Sequence, residues 1–164
     1  MAVREILLLG DERLYQVSQA VTKEELPDLA QTVTDLHDTL MDFRAKYGAG
    51  RAIAAPQINV LKRLIYLNID KPLVFINPEL KFMGDEKLEL WDDCMSFPGL
   101  IVKVLRHKHC WLRYKDVNWQ DQELELADDL AELLQHEYDH LDGILAVQRA
   151  IDDRSLKLEL PDRY

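Results

Sequence analysis

"LLQHEYDHLDG" occupies residues 133–143 and contains two histidines four residues apart, with acidic residues between them. On an α-helix, His136 and His140 lie one above the other, because four residues make about one turn. Both imidazoles can therefore reach one metal ion, and Glu137 lies beside them as a carboxylate that moves protons. The stretch predicts a C-terminal helix that carries a His-Glu-x-x-His metal motif.

The bounds of this helix follow from the residues around the motif. Asp128 and Asp129 are expected to provide a cap and negative charge at its start, and Gly143 marks its end. Four leucines are expected to face the core: Leu130, Leu133, Leu134 and Leu141.

A second, amphipathic helix is predicted over residues 26–47, where apolar residues recur at three- and four-residue spacing. Thr22 and Glu25 have the spacing of a capping box upstream, Pro27 suits a first turn, and Gly48 suits a helix stop. Between the two helices the period changes to two, which is typical of strands. The predicted strands are 63–69, 73–78, 100–106, 110–116 and 122–127. Helix, antiparallel strands and helix in this order indicate an α+β fold.

Composition and charge limit the class of protein. The 164 residues, 48% of them hydrophobic and 30% charged, are expected to form a single domain over residues 1–164. The net charge of −10 disfavours binding to nucleic acid. The apolar run Ile6–Leu9 is too short for a signal peptide or a membrane span. We therefore expect a soluble cytoplasmic protein.

A third metal ligand is needed beside the two histidines, and the sequence offers two candidates. Glu159 lies downstream, where metallopeptidases of the zincin class usually have theirs, whereas Cys94 offers a thiolate upstream. Cys94 is the better ligand, because the tail around Glu159 leaves little room for a supporting helix. We interpret Cys110 as an inert core thiol. A cluster of His107, His109 and Cys110 is disfavoured, since a strand would place the two histidines opposite the cysteine.

Three short stretches together resemble the peptide deformylase family. The family carries Gly-x-Gly-apolar-Ala-Ala-x-Gln, then Glu-Gly-Cys-apolar-Ser, then Gln-His-Glu-x-x-His. This chain has "GRAIAAPQ" at 50–57, "DDCMS" at 92–96 and "QHEYDH" at 135–140, in the same order. Three motifs in order are far more specific than any one of them, and the resemblance covers most of the chain.

The resemblance implies a role for each matching residue. It implies three ligands for one divalent metal ion: Cys94, His136 and His140. The metal is expected to be Fe²⁺, with Zn²⁺, Ni²⁺ or Co²⁺ able to substitute. Glu137 corresponds to the general base and acid, while Gln57 and the backbone N–H of Met95 correspond to the groups that stabilise the oxyanion.

The implied activity is hydrolysis of the formyl group from N-formylmethionyl peptides, which releases formate during protein maturation. Nascent formylated peptides or a small formyl amide are the expected substrates, and a transient contact with the ribosome is implied. We expect the peptide to add as a strand beside residues 50–53, with Gly50, Ala52 and Ile53 in the substrate cleft.

The chain departs from the family pattern at three positions. Asp93 replaces the glycine before the metal cysteine, and Ala52 replaces the second glycine of the first motif, so both are expected to crowd the cleft. Asp92 is one methylene shorter than the usual glutamate and is expected to pair with Arg106. Two alternatives stay open: a weakly active or non-catalytic relative, and a zincin-type metallopeptidase that uses Glu159 as its third ligand.

Overall fold

A computed structural model describes residues 2–159 of the chain. Helix α1 spans Leu26–Tyr47. These bounds confirm the predicted first helix. Pro27 lies in the first turn, where its missing N–H costs no hydrogen bond. Gly48 ends the helix in the left-handed conformation, with φ of +69°. Just before α1, the backbone N–H of Thr22 donates to the Glu25 carboxylate at 3.3 Å. This is one of the two hydrogen bonds of the capping box expected at these residues.

Helix α2 spans Asp128–Leu141, which confirms the second predicted helix but not its predicted cap. The N-cap residue is Ala127, and no side chain caps the helix. Asp128 enters the helix with φ of +53°, away from the extended conformation that a capping residue needs. The two aspartates lie in the first turn instead, where their charge is favourable beside the positive end of the helix dipole.

Three of the four leucines expected to face the core from α2 do so. Leu133, Leu134 and Leu141 are buried. Leu130 is 38% exposed, so this part of the prediction is wrong. The reason is its position, since it belongs to the exposed first turn of the helix.

Gly143, just beyond α2, makes the closest backbone approach in this region. It has φ of +72°, and a Cβ there would lie 2.4 Å from the carbonyl oxygen of Tyr15. Nearby, the Ser18 N–H donates to the Leu141 carbonyl at 2.8 Å. The chain can therefore pack its N-terminal segment against the end of α2 only with glycine at this position.

One antiparallel sheet has five strands in the spatial order β1, β2, β3, β6, β7. Their bounds are β1 Ala52–Ala54, β2 Leu64–Asn68, β3 Pro72–Phe82, β6 His109–Lys115 and β7 Asp121–Ala127. Four of these correspond to predicted strands. β3 runs beyond its predicted end at Pro78, because the register against β6 shifts between Ile76 and Glu79. That bulge accommodates a proline that cannot donate to the ladder.

A second antiparallel sheet has three strands in the order β4, β5, β8. These are β4 Lys87–Asp92, β5 Leu100–His107 and β8 Leu156–Leu158, of which only β5 was predicted. β1 and β8 each have three residues, too few to display a period of two. In β4, Leu88 and Leu90 are the only aliphatic residues, so its alternation is weak.

The two helices lie on different parts of the core. On one side, Leu134 of α2 packs with Phe75 and Leu112 of the five-stranded sheet. On the other, Leu36 and Leu40 of α1 pack with residues of β1 and β2. No helix within residues 2–159 is both long enough and apolar enough to cross a membrane. The observed architecture confirms the predicted α+β class, and α2 contacts strands of both sheets.

Candidate metal centre and cleft

Cys94 and the two histidines of α2 converge in the folded chain. Cys94 lies in the turn between β4 and β5, while His136 and His140 lie on α2. Their potential ligand atoms all lie within 4.8 Å of one another, and Cys94 Sγ is 3.4 Å from His140 Nε2. All three side chains are buried. Because a thiolate and two imidazoles are good ligands for zinc or iron, this donor set fits one divalent cation.

Within residues 2–159, no other group of three histidine, cysteine or acidic side chains has a geometry that fits a metal. The sequence pattern places His107, His109 and Cys110 on one strand. In the structure His107 is the last residue of β5, whereas His109 and Cys110 belong to β6. Cys110 is fully buried in the core. Burial raises the pKa of its thiol to about 11, which keeps it protonated and inert, as the sequence predicts.

Asp92 fixes the orientation of His136. Its Oδ2 lies 2.9 Å from His136 Nδ1 and accepts a second hydrogen bond from Arg106 Nη2 at 3.0 Å. The expected pair between Asp92 and Arg106 is therefore confirmed, despite the shorter side chain. With Nδ1 engaged, Nε2 of the ring is left for a metal. Sequence reasoning missed the contact with His136, although a carboxylate two residues before a candidate ligand was the available signal.

The charges around this pair shift the pKa of His136, of Asp92 and of His140. Burial opposes a charged ring, but the Asp92 carboxylate and the Cys94 sulfur outweigh it, so the pKa of His136 lies well above its ordinary value. Burial also raises the pKa of Asp92, but His136 and Arg106 outweigh that effect and lower it. For His140, burial and repulsion by His136 lower the pKa well below its ordinary value.

Arg106 extends the network to the far side of α2. Its Nη1 donates to Asp139 Oδ2 at 2.6 Å, and Arg149 donates to both oxygens of the same carboxylate, at 3.1 and 2.9 Å. The Arg106 guanidinium is thus buried between two carboxylates, those of Asp92 and Asp139. This bridge ties β4 and β5 to the helix that carries the two histidines.

Gln135 belongs to the third motif but has a structural role. Its Oε1 accepts the backbone N–H of His107 at 2.9 Å, and its Nε2 donates to the carbonyl of the same residue at 2.7 Å. Nε2 also donates to the Ala131 carbonyl at 2.9 Å. The side chain therefore attaches the end of β5 to α2, directly beside the metal ligands.

Glu137 is the buried acidic group of the site. It is 4% exposed, and its Oε2 has no hydrogen-bond partner within residues 2–159. Burial raises its pKa to about 7, against the opposing effect of His136. A carboxyl group with this pKa can both accept and release a proton near neutral pH.

Gln57 and Met95 lie beside Cys94. Gln57 Oε1 accepts the backbone N–H of Ala54 at 3.0 Å, and this fixes its Nε2 towards Ser96 Oγ at 3.1 Å and Cys94 Sγ at 3.6 Å. The backbone N–H of Met95 makes no hydrogen bond in the described part of the chain. The site thus presents two donors close to the candidate metal position.

A cavity of about 590 Å³ opens over the candidate metal centre. Three of the four residues expected in the substrate cleft line it: Gly50, Ala52 and Asp93. Ile53 differs, because its side chain is fully buried in the core beside α1 and does not line the cavity. Only the main chain of Ile53 is left to contact a substrate. Neither Ala52 nor Asp93 has a positive φ, so the backbone accommodates both replacements of glycine without strain.

Gly50 holds the start of β1 in place. It has φ of +125°, and a Cβ there would lie 3.2 Å from Leu40 Cδ1 and 3.4 Å from Phe43 Cδ1. Arg44 donates to its carbonyl from Nε at 3.1 Å and from Nη2 at 2.9 Å. In the part of the chain that the structure describes, β1 pairs with β2 alone, and its unpaired edge lies beside the cavity that Gly50 and Ala52 line.

Sequence reasoning missed an ion pair across the cavity wall and the surroundings of Glu159. Arg51 Nη2 lies 3.1 Å from Glu132 Oε1 of α2. Glu159 lines the cavity, where its backbone N–H donates to the Gly99 carbonyl at 2.7 Å, but it does not belong to the cluster of metal ligand atoms. A zincin-type arrangement with Glu159 as third ligand is therefore not supported.

Comparisons with known proteins agree on one family. The family model described as polypeptide deformylase matches residues 3–155. The chain is 39% identical over 174 residues to the peptide deformylase of Thermomicrobium roseum, covering 99% of this chain and 93% of the relative. It is 34% identical over 171 residues to that of Brachyspira hyodysenteriae, covering 98% and 88%. The crystal structure of peptide deformylase from Thermotoga maritima matches with a TM-score of 0.85 and 28% identity, covering 93% of this chain and 100% of that one.

Proposed function

The chain belongs to the polypeptide deformylase family, and we propose that it removes the formyl group from N-formylmethionyl peptides and releases formate. It is a metal-dependent hydrolase of linear amides. One observation carries the assignment of its active site, namely the convergence of Cys94, His136 and His140 beside the unpartnered Oε2 of Glu137.

Cys94, His136 and His140 hold one divalent cation in this proposal. Ferrous iron is the metal we propose, with zinc, nickel and cobalt as substitutes, because imidazole and thiolate ligands accept all of these. When bound, the cation polarises the formyl carbonyl and lowers the pKa of a water molecule. Asp92 supports the site by holding the His136 ring through Nδ1.

Glu137 moves the proton. Its carboxylate takes a proton from the attacking water and returns it to the amine that leaves, so that the products are formate and a free N-terminal amine. The elevated pKa of Glu137, about 7, suits a group that must first accept and then donate. Its burial keeps the carboxylate away from bulk water.

Gln57 and Met95 stabilise the oxygen that becomes negative when water attacks the carbonyl carbon. The Ala54 N–H donates a hydrogen bond to Gln57 Oε1, and this orients Gln57 Nε2 in advance. No free energy is then needed to reorient the amide in the transition state. The Met95 N–H is the second donor. Each well-placed donor of this kind contributes about 3 kcal/mol to the transition state.

The unpaired edge of β1 is where the peptide binds. An extended peptide added beside residues 50–53 would place its formyl end at the metal centre, and main-chain hydrogen bonds would supply affinity. The formyl group is the smallest acyl group, so a tight site selects it by excluding larger ones. We propose that residues 1–164 act as one catalytic domain in the cytoplasm, on nascent peptides and with a transient ribosome contact.

Formate release from a panel of formylated peptides and amines tests this function. The protein is loaded with iron without oxygen, and the Glu137→Gln variant loaded in the same way is the control. We expect formate from formyl-Met-Ala with the parent chain and a loss of more than about a hundredfold in the variant. Activity that survives in the variant contradicts the proton role of Glu137. Metal binding without any formate release would instead indicate the non-catalytic alternative.

A further inference from the structure

Two carboxylates lie on the wall of the cavity above the metal centre. Asp93 follows β4, and Glu159 follows β8. Both residues are exposed, and neither forms an ion pair within residues 2–159. We name these two residues the acidic rim. Because they come from different segments of the chain, the fold itself brings them to one cavity.

The position of Glu159 is fixed by backbone hydrogen bonds. Its N–H donates to the Gly99 carbonyl at 2.7 Å, directly after the pairing of Leu158 with Leu100. Asp93 is the neighbour of Cys94, whose thiol belongs to the cluster of metal ligand atoms. Both carboxylates are therefore attached to ordered segments beside the opening.

The other charges that line the cavity do not neutralise the acidic rim. Of the described residues that line the cavity, Arg51 is the only lysine or arginine, and its guanidinium is already paired with Glu132 at 3.1 Å. Asp92 is matched by Arg106 at 3.0 Å. Among residues 2–159, the mouth of the cavity is therefore left with two negative charges that no lysine or arginine pairs.

Two further observations point to a ligand of a particular kind. Glu137 lines the same cavity with a buried, unpartnered Oε2, so the cavity is a ligand site independently of its rim. Phe43 and Tyr47 also line it and stack on each other with ring centroids 4.4 Å apart. Aromatic faces and carboxylates together favour a side chain with an aliphatic stem and a cationic end.

We propose that Asp93 and Glu159 make this chain select formylated peptides with lysine or arginine in the residues that follow formylmethionine. This inference depends on the proposed function, which puts the formyl end at the metal centre. The following residues then run outward along β1 and pass the acidic rim. Exposed ion pairs are weak, so we expect each carboxylate to contribute about two- to fivefold, less at high salt.

The test compares matched peptides in which the second or third residue is Lys, Gln or Glu. We expect kcat/KM for formate release to decrease in the order Lys, Gln, Glu at low salt, with the differences reduced at high salt. Asp93→Asn and Glu159→Gln should each reduce the ratio of Lys to Glu, and the double variant should abolish it. Glu125→Gln is the matched control, because Glu125 is exposed on β7 and does not line the cavity.

A binding measurement separates this inference from the proposed function. Dissociation constants of the same peptides for iron-loaded Glu137→Gln protein report charge selection without requiring turnover. Binding that favours Lys over Glu and is lost in the rim variants supports the acidic rim, even if no formate is released. Equal or reversed preference, or a preference that survives in the double variant, overturns it. Absence of formate from every peptide counts against the proposed function alone.

Discussion

Asp92 Oδ2 lies 2.9 Å from His136 Nδ1, and this contact joins the turn that carries Cys94 to the helix that carries both histidines. The same carboxylate also accepts from Arg106, so one side chain orients a metal ligand and neutralises a buried cation. Removing it would leave the His136 ring free to rotate and the guanidinium short of a partner. The geometry of the metal centre is therefore set by residues outside the ligand triad.

Replacing Asp92 with asparagine is expected to weaken metal binding about 10- to 100-fold, as is typical when the hydrogen-bond partner of a histidine ligand is lost. The substitution preserves size, so the cleft keeps its shape. The dissociation constant for Zn²⁺, measured by competition with a chelator, checks the prediction, and circular dichroism verifies that the variant is folded. Glu89→Gln, on the exposed side of β4, is the control. Unchanged affinity in Asp92→Asn would show that the contact does not support the ligand.

Two substitutions test whether Cys94 or Glu159 is the third metal ligand. Cys94→Ser removes the thiolate and should reduce Zn²⁺ affinity by more than the loss of a supporting contact does, that is, by over about 100-fold. Glu159→Gln should leave metal affinity unchanged, because Glu159 is not among the clustered ligand atoms. Metal content after dialysis measures both. Retention of metal by Cys94→Ser together with loss in Glu159→Gln would restore the metallopeptidase alternative.

Gly143→Ala should be much more destabilising than Gly48→Ala. Both glycines have left-handed φ, +72° and +69°, so alanine costs about 1–2 kcal/mol at either position. At Gly48 a Cβ meets nothing within 4 Å, whereas at Gly143 it would lie 2.4 Å from Tyr15 O. Overpacking adds about 1–3 kcal/mol there. Urea unfolding measures the difference, and equal losses for the two variants would mean that the chain near Tyr15 moves freely aside.

The parts of the fold that sequence predicted correctly are those with a long periodic signal. The 22 residues of α1 display the amphipathic period several times, and Gly48 stops it. β1 and β8 are too short to display any period, and Pro78 appeared to end β3 because a bulge cannot be seen in one strand alone.

In the candidate site, likewise, the features that depend on local spacing were predicted, whereas the contacts between residues far apart in sequence were not. The spacing of His136 and His140 is local, and the motif order supplied Cys94. The pairs of Asp92 with His136 and of Arg51 with Glu132 join residues 44 and 81 positions apart. Such pairs depend on the register of sheets and the placement of α2, which one sequence does not determine. The position of Glu159 on the cavity wall has the same origin, since it depends on β8 pairing with β5.

Asp93 and Ala52, where the family has glycines, are predicted to limit turnover by crowding the cleft. Ala52 lies on β1, whose unpaired edge we assign to the peptide; it lines the cavity, and its 5% exposed methyl group packs mainly in the core that the five-stranded sheet forms with α2. Asp93 lies beside Cys94 and lines the same cavity. Because neither has a positive φ, glycine at these positions relieves no backbone strain, and any gain in activity must come from space in the cleft.

The measurement is kcat and KM on formyl-Met-Ala with an amidated C-terminus, a peptide that carries no charge, for Asp93→Gly and Ala52→Gly beside the parent chain. We expect each variant to raise kcat/KM by several-fold, since relief of overpacking of about 1 kcal/mol corresponds to about fivefold. Asp93→Asn is the matched control for the first variant, because it removes the charge but keeps the bulk and should not raise turnover of this peptide. If neither glycine variant exceeds the parent, crowding does not limit the reaction, and a gain in Asp93→Asn equal to that in Asp93→Gly would assign the effect to charge.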